Sequence, residues 1–311
     1  MVVGCCRPFR ILADYMLRSP KLILPISLAL YAILCYVLHP WLGYMLDSDA
    51  TAYLTLAKRV ADKQYAESVN ALWSPMNAWL IAPFIRRGYD AWFVAKALNI
   101  SFGAMLLPWI HLLFCRFNLS AFSRLALLKA SAIFLAFAVY FQVFGDVLQL
   151  LFVLPYLLLV FSKGYAHSPK KIMAAASLMG LGFYAKAYSL PFFILHSAIV
   201  FGYFVYQQQL KPRQAIQHFS LGAMVAVLWV LPASIALHQK YHVWSLSGLA
   251  GKMNMSWYIN SGKQFTADIR LLIPPRYADS PSFWEDPYPS QAALTSPFTS
   301  THHFFHWLFR V

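Results

Sequence analysis

The chain has 311 residues, of which 60% are hydrophobic, 17% aromatic and only 12% charged, and its mean hydropathy of +0.54 is far from the balance of an ordinary soluble domain. The net charge of +14 does not point to nucleic acid, because the basic residues fall in short clusters between apolar runs, which is the pattern of membrane topology. An all-α polytopic membrane protein is the expected fold class, and the four cysteines (Cys5, Cys6, Cys35 and Cys115) imply no disulfide framework.

A basic N-terminal segment at 1–21, expected to be cytoplasmic, precedes an apolar run at about 22–44 that reads as a retained spanning helix rather than a signal peptide. Further spans are predicted at about 92–115, 124–143, 147–162, 172–189, 191–208 and 218–238, so that 22–238 forms a membrane domain with about 7 transmembrane helices. The segments 147–162 and 172–189 are short, and tilt, kinking or shielding by neighbours would accommodate them.

The first outer loop, 47–91, is predicted to hold two amphipathic juxtamembrane helices. In the first, at about 50–63, Ala50, Tyr53, Leu54, Ala57, Val60 and Ala61 recur at helical spacing, with Lys58, Arg59 and Asp62 on other sides, so it should lie on the membrane surface. The second starts at Ser74, a good N-cap, with Pro75 in the first turn, and ends near Arg86-Arg87-Gly88. Trp73 and Trp79 suit the headgroup level. Residues 239–301 read as an extended outer segment lying on protein or membrane, and 302–311 as the start of an eighth helix, as in a truncated or minimal form.

Charge gives a sidedness. The predicted inner segments (1–21, 116–129, 163–171 and 207–213) carry twelve Lys or Arg and one acid, Asp14. The other ten acids fall on the predicted outer face, which the positive-inside rule does not require. An outer face so built suits cations, a metal or proton transfer.

Candidate functional residues follow from placement. Asp47 and Asp49, at the mouth of the first span, are costly beside hydrocarbon and need a partner, water or a function. Asp49, and less well Asp47, also suits a plain capping role for the next helix. Asp146 follows Gly145 at a predicted turn, where a solvated aspartate is common. Lys186, near the outer end of a helix, can snorkel to the headgroups. Lys96 and His111, inside the second span, read as packing or snorkelling residues, and His302, His303 and His306 lack the acid or Cys that would complete a metal site.

The ordered set of motifs, D-S-D-A-T-A-Y at 47–53, W-S-P-x-N-x-W-L-x-A-P-F at 73–84, G-D-V-L-Q at 145–149 and G-L-G-F-Y-A-K-A-Y-S-L-P at 180–191, resembles the integral-membrane glycosyltransferases of the GT-C class that use polyprenyl-phosphate sugars. That class includes dolichyl-phosphate-mannose protein mannosyltransferases and aminoarabinose transferases. The resemblance covers roughly 22–240 and implies sugar transfer on the non-cytoplasmic face, usually with inversion.

It also implies roles: Asp47 as the base, with Asp49 the other candidate since Ser48 separates the two, and Lys186 on the donor phosphate. Asp146 and Tyr53 would contact substrate, or a divalent metal would be held by Asp49 or Asp146. The implied partners are a polyprenyl-phosphate sugar donor, membrane lipids and a glycan, lipid or protein acceptor, in a bacterial inner membrane more readily than in the endoplasmic reticulum. Two rival readings stand beside it: a non-catalytic or partner-dependent subunit of a glycosyltransferase complex, and a transporter or lipid flippase.

Overall fold

The computed structural model describes residues 20–45, 48–141, 145–246, 277–280, 285–286, 298 and 300–308. Its helices are α1 (Ile23–Leu42), α2 (Ser48–Ala61), α3 (Met76–Ile85), α4 (Ala91–Phe114), α5 (Ala121–Phe141), α6 (Gly145–Val160), α7 (Pro169–Ala185), α8 (Ser189–Tyr206), α9 (Pro212–Tyr241) and α10 (Thr301–Leu308). A single helical turn, Tyr65–Ser68, lies between α2 and α3, and no strand occurs among the described residues.

Five helices, α1, α4, α5, α8 and α9, are long and apolar enough to cross a membrane, and this is a membrane-embedded helical protein. Large apolar side chains on them, including Tyr36, Phe134, Leu195 and Leu228, are exposed, as lipid-facing positions are. Against the sequence-based count of about seven, five of the described helices have spanning length. The remaining two are α6 and α7, whose 16 and 17 residues reach about 24 and 26 Å at 1.5 Å per residue, short of the ~30 Å hydrocarbon core.

The bundle has two cores. Tyr31, Leu106, Leu128 and Val139 join α1, α4 and α5, while Met179, Phe193 and Val230 join α7, α8 and α9. The helix between them is α6, which gives Val147 and Leu154 to the first core and Tyr156 and Val160 to the second. Lipid offers no hydrophobic drive for helix association, so close approach and hydrogen bonds carry it. Gly103 allows such an approach, since a Cβ there would collide with Tyr31 and Val139. Tyr31 Oη donates to Ile100 O at 2.7 Å, and Tyr140 Oη to Cys35 O at 2.6 Å.

Lys96 is a packing residue. Its Nζ donates to Tyr140 O at 2.5 Å, while Asn99 Nδ2 donates to Val139 O at 2.7 Å. Together they satisfy carbonyls in the last turn of α5, which have no partner within their own helix.

Of the consecutive helices, α4 packs on α5, α6 on α7, α7 on α8 and α8 on α9 across short connections and antiparallel, while α6 packs on α4 rather than on α5. Trp92 Nε1, at the start of α4, donates to Gly43 O just beyond α1 at 3.1 Å, which sets those two termini at the same end. The ends of α1, α5, α7 and α9 therefore meet the starts of α4, α6 and α8. Onto this end folds the α2–α3 hairpin: of the predicted apolar face Ala50, Tyr53, Ala57, Val60 and Ala61 are buried with Ile81, Ala82 and Val94, while Leu54 is half-buried. Helix α2 thus packs on α3 and α4 rather than on the membrane surface expected for it.

Three details differ from the sequence reading. First, α2 starts at Ser48 rather than near 50, so Asp49 sits inside the first turn, where a carboxylate is favoured by the helix dipole. Second, Ser74 does not cap α3; its Oγ accepts from Ala187 N at 3.0 Å and ties the loop to the α7–α8 turn. Third, Trp73 is not a headgroup anchor but is buried against the Tyr53 ring, 5.4 Å between centroids, whereas Trp79 remains exposed.

Candidate functional site

Four of the five residues singled out by sequence converge at the hairpin end of the bundle; the fifth, Asp47, lies outside the described residues. Asp49 enters from the first turn of α2, with Tyr53 one turn further along. Asp146 stands in the first turn of α6, rather than in a turn before it, and Lys186 directly follows the last residue of α7. The Lys186 ammonium is ion-paired with the Asp146 carboxylate, and both side chains keep more than a third of their surface exposed. This pairing joins two of the predicted roles: the cation nominated for a phosphate is held by the acid nominated for substrate or metal.

Glycine makes the approach possible. A Cβ on Gly145 would run into Ala185 O, so the start of α6 can reach the end of α7 only because that side chain is absent. Gly145→Ala is expected to lower stability by about 1–3 kcal/mol through overpacking and to part Asp146 from Lys186. Thermal unfolding in detergent checks it; a melting temperature equal to wild type would show that the two helix ends can separate freely.

Tyr53 is the buried member of the group. Burial pushes its phenol pKa well above the ordinary tyrosine value, and the nearby carboxylates of Asp146 and then Asp49 push it further the same way. The phenol therefore stays protonated and is a hydrogen-bond donor throughout the physiological range. Its electrostatic coupling to both acids also places Asp49 and Asp146 around one side chain.

Among the described residues no three His, Cys, Asp or Glu side chains gather as a ligand group. An ion bridging Asp49 and Asp146 would have to displace the Lys186 ammonium from its carboxylate.

Beside the ionic corner lies a cavity of about 340 Å³ between the loop before α3, α3 itself, the end of α7 and the last third of α9. Small residues create it: Ala71, Ala187, Pro232, Ala233 and Ala236 stand back from Trp79 and Tyr184, whose rings pack at 5.3 Å. Pro232 removes one N–H from the ladder of α9, and Tyr184 Oη donates to the nearby Trp229 carbonyl at 2.7 Å. Trp73, Ser74 and Ala187 belong to both regions, since they line the cavity while Trp73 packs on Tyr53 and Ala187 adjoins Lys186.

The sequence reading missed the strap that covers α2. Arg59, placed by periodicity on the polar side of its helix, is only 3% exposed, and Glu285 opposite it only 2%. The guanidinium is ion-paired with Glu285, meets Asp279 at 3.1 Å, donates to Ser280 Oγ at 2.8 Å and stacks over the Tyr277 ring at 4.3 Å. Burial pulls the guanidinium pKa down, but the bonds to Glu285 and then Asp279 outweigh it and leave it raised.

Asn70 Nδ2 donates to Glu285 O at 2.6 Å, and at the end of α9 Lys240 pairs with Asp286 at 3.1 Å while Tyr241 Oη donates to the same carboxylate at 2.8 Å. The parts of the predicted outer segment at 277–280 and 285–286 thus lie on protein. The one signal available in the sequence was coarse: a cation and three acids assigned to the same face. No family model, curated protein or solved structure matches the chain.

Proposed function

We propose that the chain is a glycosyltransferase that moves a sugar from a polyprenyl-phosphate carrier to an acceptor hydroxyl on the non-cytoplasmic side of the membrane. The observation that carries this reading is the meeting of Asp49, Tyr53, Asp146 and Lys186, drawn from three separated parts of the chain, at one end of a membrane bundle.

The chemistry asks for these groups. The acceptor oxygen attacks the anomeric carbon and forms a new C–O bond as the bond from that carbon to the phosphate oxygen breaks. The bonding electrons leave with the polyprenyl phosphate, and the hydroxyl proton passes to a carboxylate, supplied by Asp47 or Asp49. Charge building on the departing phosphate is met by the Lys186 ammonium, which exchanges its Asp146 partner for the phosphate and returns to it afterwards. Asp146 is thus a positioning residue, and the protonated Tyr53 phenol donates a hydrogen bond to a sugar or phosphate oxygen.

Charge supports the sidedness. Asp49, Asp62, Glu67, Asp90, Asp146, Asp279, Glu285 and Asp286 belong to the hairpin end of the bundle, whereas Arg116, Lys163, Lys170, Lys171, Lys211 and Arg213 belong to the connections at the other. Short basic connections favour the cytoplasm. We count α6 and α7 as the sixth and seventh spans, because each runs from one end to the other beside full-length neighbours that allow local thinning of the bilayer.

The test is transfer of labelled sugar from mixed polyprenyl-phosphate donors by the purified chain in lipid vesicles. Wild type is expected to transfer, and Lys186→Met to lower kcat about 10²- to 10³-fold, the usual loss on removing one group that stabilises developing charge. No transfer by wild type across the donor set would overturn the reading in favour of a non-catalytic membrane subunit.

A further inference from the structure

We infer that the cavity beside the ionic corner seats the acceptor, and that this acceptor is an uncharged, hydroxyl-bearing amphiphile drawn from the bilayer. The inference rests on the transfer reading and narrows its second substrate.

Among the described residues no charged side chain lines the cavity. Its Asn and Ser side chains are already engaged. Asn70 Oδ1 accepts from Leu72 N and Trp73 N at 2.8 and 2.9 Å, and its Nδ2 donates to the strap. Ser68 Oγ donates to Tyr65 O at 2.8 Å, and Ser74 Oγ accepts from Ala187 N. A ligand here meets mainly ring faces and methyl groups. An ionised ligand would lose its hydration with nothing in exchange, and a polyhydroxylated glycan would leave most of its hydroxyls unpaired.

Size and access agree. At about 340 Å³ the cavity is near the lower bound of small-molecule pockets, which run from about 300 to 1,000 Å³; a single alkyl chain or a ring system fits it and a long polyprenyl chain does not. The cation for the donor phosphate, Lys186, is not part of the lining, so the charged end of the donor belongs to the corner and the cavity is left for the other reactant. Its α9 wall, Pro232 to Leu237, interleaves with Leu231 and Ile235, exposed apolar side chains on a helix of spanning length. Entry is therefore through lipid, past the exposed Trp79.

The experiment is photo-labelling of the full chain in lipid vesicles with a hexadecanol bearing a diazirine in its chain, with labelled positions read by mass spectrometry. Label is expected in the loop before α3, at Phe183 to Ala187 and at Pro232 to Leu237. Excess plain hexadecanol should displace it and hexadecanoic acid should not. It should be lost in Ala233→Trp, which fills the cavity, while label on lipid-facing Phe134 and Leu195 persists; the competition in wild type needs no substitution.

Label confined to lipid-facing positions would overturn the inference, as would displacement by hexadecanoic acid equal to that by the alcohol. Displacement by polyprenyl monophosphate would overturn it too, by giving the cavity to the donor. Cavity labelling without any sugar transfer would sink the transfer reading and with it the acceptor assignment, whereas transfer without cavity labelling would sink this inference alone.

Discussion

Neutralising the two carboxylates that open the first loop, Asp47→Asn with Asp49→Asn, is expected to lower sugar transfer about 10²- to 10⁴-fold, the usual contribution of a positioned general base, with the melting temperature little changed. Asparagine keeps the shape and the hydrogen-bonding capacity of the side chain but cannot take the acceptor proton. Asp49 is in the first turn of α2, partly exposed and electrostatically coupled to Tyr53, so its charge acts on the ionic corner. Losing a first-turn carboxylate removes only about 0.3–1 kcal/mol of helix-dipole stabilisation, far less than the predicted kinetic effect. The single variants assign the base: the one that loses kcat carries it. Wild-type rates in the double variant would remove Asp47 and Asp49 from the mechanism.

The second large effect is on stability. Arg59→Met is expected to destabilise the fold by about 3–5 kcal/mol, because it leaves the Glu285 carboxylate charged and buried without its counterion. Adding Glu285→Gln should restore much of that loss, since the stranded charge is then gone; a double-mutant cycle reads the coupling directly. Limited proteolysis supplies a second readout, with cleavage near 277–286 appearing in Arg59→Met and receding in the pair. A single variant as stable as wild type would mean that the strap does not depend on this contact. An exposed pair such as Lys58 with Asp62, 2.8 Å apart and largely solvated, should by contrast contribute no more than about 1 kcal/mol.

How much of this was legible in the sequence depends on the reach of each signal. Every predicted span has a helix in its place, because apolar runs and local periodicity are properties of neighbouring residues. The buried face of α2 follows for the same reason. Asp146 and Lys186 could be singled out one at a time as charges at helix ends, but their pairing depends on how α6 and α7 pack, 40 residues apart. Arg59 shows the limit most clearly. Its helix period puts it on a polar side, and only a carboxylate 226 residues further along turns that side into an interior. The cavity was equally hidden, because it is made of what Ala71, Ala187 and Ala233 lack. Ser74 was misread because a serine before Pro75 suits an N-cap on local grounds, while the amide it serves belongs to a distant turn.

The contact between Arg59 and Glu285 has a consequence for biogenesis. A ribosome adding about 5–20 residues per second needs roughly 11 to 45 s to extend the chain by the 226 positions that separate the two residues. Throughout that interval the first loop is already synthesised, with an arginine destined for burial and no counterion yet made. The hairpin that bears Asp49 and Tyr53 therefore acquires its cover only after α9 has been made, and a nascent chain released before residue 285 would display an open, unneutralised first loop for membrane quality-control proteases to recognise.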